Sequence, residues 1–445
     1  MTRFRKLFSA MMVAILIGAL AHPAAAQPAA RRLSFADAAA GVLEGNLRLR
    51  AAAFDIAVAE AQLAQARGAR LPQAALSGGY SRFGDRPGQP ITITNPFGAS
   101  PPTITFTLPA LDPVQFAARL VLQFPLYTGG RLESQIAIAE ANLRGARAVF
   151  ERTKQQTLFA ARSAYLQMLL GQETVAAAWR AQDQARESLR VAQARLQTGA
   201  APQFDVLQAE VAVAVAEQSV VRTQTTVQTA RIELVAALNV PQDVVVELTE
   251  DLTPQQVSGA LGDALARALR ERPEVIEVAS RLAAAQAAID LAASGGRPNV
   301  SLSAGYDLAS TGVTGSSGVW SVTLGVTLSI FDGGITRERI REAALRVQQL
   351  AVLEAETRQR IDVEVRQAWL ALQQANGELT PATRAVEQGR EAARLAAVRY
   401  EAGVGTSLEV TSAQAALAQA EVALATARFG HHVARNRLLL ATSAL

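Results

Sequence analysis

Asp205 and Glu409 are the carboxylates whose placement invites a role with ions. Each lies about one helical turn past a glycine-rich reversal, Thr198-Gly199-Ala200-Ala201 and Gly403-Val404-Gly405-Thr406, so the two occupy equivalent places. An acid there complements the positive end of a helix dipole. Glycine suits the reversals because it tolerates φ > 0, and Thr406 or Ser407 is a suitable cap for the next helix. Bond-making chemistry is absent from the rest of the chain. There is no GxxxxGK[ST] loop and no GxSxG serine, and no pair of catalytic carboxylates stands out. Gly403-x-Gly405 follows no strand and lacks the third glycine of a dinucleotide fingerprint. His431 and His432 are adjacent, so on a helix they point about 100° apart and make a poor metal pair. Packing or a local polar contact suits His431 better, since it falls on a heptad seam. The expectation is a protein with no enzyme activity, no cofactor and no bound metal.

Composition says what must position those acids. The 445 residues are 50% apolar, 5% aromatic and 18% charged, with 91 alanines and no cysteine. An alanine excess points to long helices approaching closely over small side chains. The missing cysteines exclude disulfides, thiolate metal sites and a lipid-modified N-terminal cysteine. Arg3, Arg5 and Lys6, the largely apolar run Leu7 to Ala21 and Ala24-Ala25-Ala26 before Gln27 read as a secretory signal peptide over 1–26, cleaved between Ala26 and Gln27. Its removal takes three positive charges, and 43 − 3 − 39 leaves +1. No dense basic stripe remains for nucleic acid. No further apolar run is long enough for a transmembrane helix, which leaves membrane-spanning β-strands open.

The chain is written twice. Pro125-Leu-Tyr-Thr-Gly-Gly130 resembles Ser329-Ile-Phe-Asp-Gly-Gly334, and Arg195-Leu-Gln-Thr-Gly199 resembles Arg399-Tyr-Glu-Ala-Gly403, both at an offset of 204. Leu71-Pro72 to Tyr80 resembles Arg297-Pro298 to Tyr306 at offset 226, so the first repeat holds 22 extra residues. They fall in the Pro/Gly/Thr-rich stretch Gly84 to Pro113, which reads as an exposed loop. The first repeat is assigned to 27–240, with a strand pair at about 73–126, a long helix at about 131–197 and a helix at about 202–238. A linker over 241–257 follows. The second repeat is 258–445, with strands at about 299–331 and helices at about 335–401 and 406–440.

In the strands, Trp320, Val322, Leu324, Val326, Leu328 and Ile330 alternate with Ser321, Thr323, Gly325, Thr327 and Ser329. Period two with an apolar face and a Ser/Thr/Gly face suits lipid outside and water inside. A half-buried soluble sheet is the competing reading. Each long helix is 67 residues, or about 100 Å. Val206, Ala209, Val213, Ala216, Val220, Thr223, Val227, Ala230, Leu234 and Ala237 form a heptad seam, repeated by Val410, Ala413, Leu417, Ala420, Leu424 and Ala427. Four strands cannot close a barrel, and open edges in lipid are costly. Several copies must share one barrel, and strand counting alone permits two, three or four.

The segment Leu33-Ser-Phe-Ala-Asp-Ala-Ala, Leu71-Pro72, the two Gly-Gly turns and Tyr400-Glu-Ala-Gly403-x-Gly405-Thr-Ser-Leu-Glu-Val410 resemble the TolC-type outer-membrane efflux proteins. The resemblance covers the whole mature chain. It implies a mainly α fold with a membrane β-barrel portion, in which long antiparallel helical hairpins form an α-barrel. It also implies a homotrimer, in which four strands per chain enter a shared 12-stranded barrel within outer-membrane lipid. The tunnel then extends into the periplasm, and the partners are a periplasmic adaptor (membrane fusion) protein and an inner-membrane pump. Thr198, Gly199, Gly403, Val404, Gly405 and Thr406 become adaptor-docking tips, or remain plain hairpin turns. The family places acidic rings inside the tunnel end. Glu409 matches the first ring, while Ser412 stands at the second, so one cation-sensitive periplasmic gate of Glu409 with Asp205 is expected. In the second long helix, Pro381 removes the bond to the carbonyl of Gly377 and marks a hinge. Export of small molecules (drugs, toxic compounds or metals) is the leading expectation. A type I protein-secretion duct is the alternative, and a coiled-coil scaffold without transport is a weaker one.

Overall fold

The structure, a computed structural model, describes residues 31–84, 88–94, 100, 102–107, 114–244, 246–255, 259–311 and 316–445. The signal peptide expected over 1–26, with its cleavage site at Ala26 and Gln27, lies outside them. The chain divides into two compact units, each drawing on both halves of the sequence.

One unit spans Ala51–Arg152 and Pro273–Arg360. Its centre is an antiparallel sheet of β2 (Gln73–Arg82), β5 (Val114–Tyr127), β7 (Asn299–Thr311) and β8 (Ser316–Thr327), in the order β2-β5-β7-β8. The strand pairs of the two halves therefore join through β5 and β7, and β2 and β8 are the open edges. A separate hairpin pairs β3 (Pro90–Thr94) with β4 (Thr103–Thr107). This corrects the expectation of a loop from Gly84 to Pro113. Ile-Thr-Ile-Thr and Thr-Ile-Thr-Phe-Thr are β-branched alternations that favour strand, and the surrounding proline and glycine hid them.

Helix α2 (Leu47–Gly68) enters this unit and packs Ala59 and Leu63 on Leu143 of α3 (Arg131–Gln197). Arg67–Glu140, Arg70–Glu133 and Arg147–Glu60 pair at 2.9, 2.9 and 3.0 Å. All three pairs are exposed and each contributes little. On α6 (Pro273–Ala293), Glu277 is buried and takes both Arg152 at 2.6 Å and Arg281 at 2.5 Å.

The turns that start the long helices use glycine for a steric reason. Gly129 has φ +64°, and a Cβ there would lie 2.7 Å from Arg297 Cβ and 3.1 Å from the Ser294 carbonyl oxygen. Arg297 also donates to the Gly129 carbonyl at 3.0 Å. Gly129→Ala combines left-handed strain with a backbone clash, and a loss of about 2–4 kcal/mol is expected. Thermal melting of the detergent-purified protein checks this against Gly79→Ala, where a Cβ meets nothing within 4 Å. The second long helix, α7 (Ile335–Glu401), starts after Asp332, whose carboxylate accepts from Gly334 N at 2.9 Å and Thr336 N at 2.8 Å. Hydrogen bonding from the Thr336 side chain first, and then from the Thr336 and Gly334 amides, holds the Asp332 carboxyl below the usual aspartate range.

The other unit comprises residues up to Arg50, Thr153–Arg272 and Ile361–Leu445. Its core gathers β1 (Arg31–Leu33), α1 (Phe35–Gly45), α4 (Gln203–Ala237) and β6 (Val246–Leu248) around the middle of α3. Strands β1 and β6 pair in parallel. Ser34 and Asp37 form a capping box on α1, with Asp37 N 3.0 Å from Ser34 Oγ and Ser34 N 3.1 Å from Asp37 Oδ2. Tyr165 is fully buried; its hydroxyl donates to the Leu33 carbonyl at 3.1 Å and its ring meets Phe35 edge-on. The short α5 (Leu261–Glu271) precedes Arg272, which pairs with Glu364 at 2.5 Å. Helix α8 (Ser407–Ala441) ends the chain.

Every seam position of α4 from Val206 to Ala237 is buried or half-buried, as is every one of α8 from Val410 to Ala427. Small residues set the spacing: a Cβ on Gly171 would lie 3.0 Å from Val227 Cγ2, and one on Gly389 would lie 3.4 Å from Leu417 Cα. Alongside the buried seam, α4 leaves Phe204, Leu207, Val211 and Val215 exposed as a second stripe.

Candidate functional site

The two hairpin reversals lie in the same unit, and side chains from all four helices meet beside them. At the end of α3, Thr198 Oγ1 donates back to the Arg195 carbonyl at 3.0 Å, and Gly199 turns with φ +74°. At the end of α7, Gly403 turns with φ +80° and Val404 stays exposed. Gly405 is packed tightly, because a Cβ there would lie 3.0 Å from Tyr400 N. Thr406 caps α8 by accepting from Glu409 N at 3.2 Å.

Asp205 is the hub. One carboxylate oxygen accepts from the Tyr400 hydroxyl of α7 at 3.0 Å, and the other accepts from Ser407 Oγ of α8 at 2.9 Å. Arg195 of α3 stacks on the Tyr400 ring, 4.4 Å from its centroid, and donates to the Tyr400 carbonyl. Burial and the neighbouring Asp205 carboxylate push the Tyr400 hydroxyl above the usual tyrosine range. The Asp205 carboxylate thus links α4, α7 and α8, and Arg195 ties α3 to the same Tyr400.

Glu409 is placed differently. It pairs with Arg399 at 3.5 Å, and both side chains are about half exposed. Ser412 donates to the Glu409 carbonyl at 3.1 Å. Asp205 and Glu409 are equivalent in sequence, yet one is a crosslink and the other an exposed ion pair.

The sheet sorts its residues by face. Hydrogen-bonded register aligns Leu76, Leu120, Tyr306 and Trp320 in one row, and Ala74, Leu122, Ala304 and Val322 in another. Between them lies the row Ala75, Val121, Gly305 and Ser321, and flanking them on either side lie Ser77, Arg119, Asp307 and Val319, and Gln73, Gln123, Ser303 and Thr323. Because neighbouring rows face opposite sides, one face is apolar and the other is mostly polar. Arg119 and Asp307 pair at 3.2 Å on the polar face. Aromatics flank the apolar band, with Tyr80, Phe116, Tyr306 and Trp320 towards one end and Phe124 and Tyr127 towards the other. That pattern is the outer surface of a membrane barrel.

The sequence profile of outer membrane efflux proteins matches residues 40–240 and 264–444. The chain belongs to that family. Protein CyaE of Bordetella pertussis is 28% identical over 301 residues, which is 66% of this chain and 64% of CyaE. The match therefore spans slightly less than two thirds of that relative. Outer membrane efflux protein BepC of Brucella suis is 28% identical over 331 residues, covering 71% of this chain and 70% of BepC. The solved structure of CusC, named in Escherichia coli as a cation efflux system protein, superposes with a TM-score of 0.76. It covers 92% of this chain and 91% of that one at 21% identity.

The family has the tunnel-channel fold, mainly α with a membrane β-barrel portion. Four strands of each chain enter a shared barrel, and the antiparallel hairpins form an α-barrel. The relatives are outer-membrane proteins, which places this chain in the outer membrane. They are channels rather than enzymes.

Gly377 and Pro381 lie inside α7, which runs unbroken from Ile335 to Glu401, and both are exposed. His431 Nε2 lies 3.0 Å from the Gln255 carbonyl oxygen, and His432 Nε2 lies 3.0 Å from that of Thr253. Tyr400, Arg195 and Arg399 were given no role from sequence, and Ser407 only that of a candidate helix cap. For the arginines a signal existed: Arg195 and Arg399 are equivalent at offset 204. Each donates to the carbonyl five residues on, Ala200 at 3.2 Å and Val404 at 3.3 Å. Tyr400 had no such signal, because its counterpart is Leu196.

Proposed function

We propose that the chain is the outer-membrane channel of a tripartite efflux system and exports small molecules delivered by an inner-membrane pump through a periplasmic adaptor. Three copies form the channel, and the exposed tips around Thr198, Gly199, Gly403, Val404, Gly405 and Thr406 receive the adaptor. The observation that carries this reading is the crosslink at Asp205. A passive scaffold has no use for a polar, breakable clasp joining two hairpins at their tips. A duct that must stay shut between transport events does. Relatives named for efflux, BepC and the cation efflux protein CusC, support the substrate class.

A deletion strain is the direct test. Hypersensitivity to drugs or metals, restored by the wild-type chain, is expected. Unchanged sensitivity together with loss of a secreted protein overturns efflux in favour of secretion.

Glu409, near the clasp, forms a cation-sensitive constriction with Asp205. Glu409→Ala in planar bilayers is expected to weaken block by divalent cations about tenfold or less, the effect of one exposed charge per chain. Unchanged block leaves Glu409 as a helix-terminal acid only. Pro381 supplies the hinge, because Gly377 keeps a carbonyl without its helical donor. Pro381→Ala is expected to reduce efflux while trimer yield holds; intact efflux makes the proline structural only.

A further inference from the structure

A cleft of about 860 Å³ lies in the same unit as the tips but well away from them. Its walls come from the start of α1, the middle of α3, the segment 249–255 and the later part of α8. Arg162, on its α3 wall, is about 50 Å from Arg195 by helix rise. Phe35, Leu166, Leu169 and Leu439 give the cleft an apolar lining, and Arg162 and Arg435 give it two guanidinium groups.

Those guanidiniums are orphans. Neither donates a hydrogen bond to, or pairs with, any carboxylate among the described residues, and the Nε of each is buried without a partner. Burial first, and then the like charge of Arg435, pull Arg162 below the usual arginine range, and no neighbouring carboxylate offsets them. Arg162 is held in place from one side. Its Cζ sits 5.1 Å from the Phe35 ring centroid, and Tyr165 supports that ring edge-on at 5.5 Å. The acids of the cleft are engaged elsewhere. Glu250 accepts from Phe35 N at 3.1 Å, and Asp251 accepts from Thr253 N at 3.1 Å. His432 Nε2 donates to the Thr253 carbonyl at 3.0 Å. Burial, then His431 and Arg435, push His432 below the usual histidine range, so its ring adds no charge at neutral pH.

Two like charges drawn out of water beside one another are costly unless an anion joins them. The arginine fork matches a group with two or more oxygens, carboxylate or phosphate. Apolar walls with a few converging polar groups, at a volume of several hundred cubic ångströms, are the ordinary form of a small-molecule site. A bare ion would leave most of this cleft unfilled. We propose that the cleft binds a small organic anion, whose carboxylate or phosphate group bridges Arg162 and Arg435 and whose apolar body lies against Phe35, Leu166, Leu169 and Leu439. Such a ligand fastens α8 to α3 and removes the repulsion between the arginines. The site is separate from the Asp205 clasp, and it goes beyond the export reading without resting on it.

The test titrates the full chain, purified in non-ionic detergent without phosphate, with three probes followed by calorimetry. Phenyl phosphate is expected to bind saturably, once per chain. Inorganic phosphate, which lacks the apolar body, is expected to bind several-fold more weakly, and the neutral benzyl alcohol more weakly still. Arg162→Gln and Arg435→Gln are each expected to weaken phenyl phosphate about tenfold or more, because each removes charge-assisted hydrogen bonds. Arg437→Gln removes a charge from an exposed position of the same helix and is expected to change nothing. Without ligand, both glutamine variants are expected to assemble on a sizing column and to melt at or above the wild-type temperature, since a repulsion is relieved. Where a glutamine variant does not assemble, the lysine variant at that position keeps the charge without the fork and is expected to lose several-fold. Absence of saturable phenyl phosphate binding overturns the site, as does equal binding of benzyl alcohol or unchanged affinity in the arginine variants. Loss of assembly in both glutamine variants, with no phenyl phosphate bound by the wild type, assigns the arginines to a carboxylate of a neighbouring chain and overturns the small ligand.

Discussion

Asp205→Ala raises the open probability of the channel in planar bilayers about tenfold or more, and Tyr400→Phe raises it by less. A hydrogen bond to a charged group contributes about 1.5–3 kcal/mol, and about 1.4 kcal/mol shifts a two-state population tenfold. Asp205 holds two such bonds, to Tyr400 at 3.0 Å and Ser407 at 2.9 Å, whereas Tyr400→Phe removes only one. Partial exposure of the tips lowers both figures, so tenfold is the reasonable scale. The two substitutions share a bond, and the double variant is expected to fall short of the product of the singles. The pH dependence follows from Tyr400. Its hydroxyl is raised by burial and by the Asp205 carboxylate, and the neutral form is the donor. The contribution is therefore fully present below the ordinary tyrosine value near ~10. It is lost only as pH rises through the still higher folded value. Wild-type channels are expected to stay shut through neutral and mildly alkaline pH and to open in strong alkali, and Tyr400→Phe is expected to lose that step. Unchanged opening in both variants removes the clasp from the gate.

The periodicities of this sequence are physical constraints on whole elements, which is why they could be read. A heptad seam from Val206 to Ala237 admits one buried face, and the structure buries or half-buries every member. Strand alternation from Trp320 to Val326 admits one apolar face, and the register aligns it with Tyr306, Ala304, Leu302 and Val300 on β7. The joining of β5 to β7 was not legible, because no local pattern says which strands of the two halves meet. The hairpin from Pro90 to Thr107 was hidden by its proline-rich surroundings. At the tips, sequence located Asp205 and Glu409 but treated them alike. Their difference depends on a tyrosine at 400 where the first half has Leu196, and on a serine at 407 where it has Gln203. Such a contact joins residues about two hundred positions apart, and pattern within one helix carries no record of it.

The face assignment has its own expected result. Val322→Arg should abolish most of the assembled channel, while Thr323→Arg, one residue on, should be tolerated. Val322 lies in the apolar row with Leu122 and the alanines at 74 and 304, and Thr323 lies in the polar row with Gln73, Gln123 and Ser303. An arginine on the lipid face near the middle of the bilayer costs about 2–4 kcal/mol, and a lumen position costs little. Each copy in a shared barrel carries the substitution, so the lipid-face cost recurs in every protomer. That multiple rivals the whole stability of an ordinary domain, about 5–15 kcal/mol. The polar face already accommodates a guanidinium, since Arg119 pairs there with Asp307. Val319 and Val121 on that face show that the sorting is by majority rather than absolute. Quantifying trimer in outer-membrane fractions on unheated gels separates the two variants. Equal yield from both means that the apolar rows do not face lipid, and the sheet is then covered by protein on both sides.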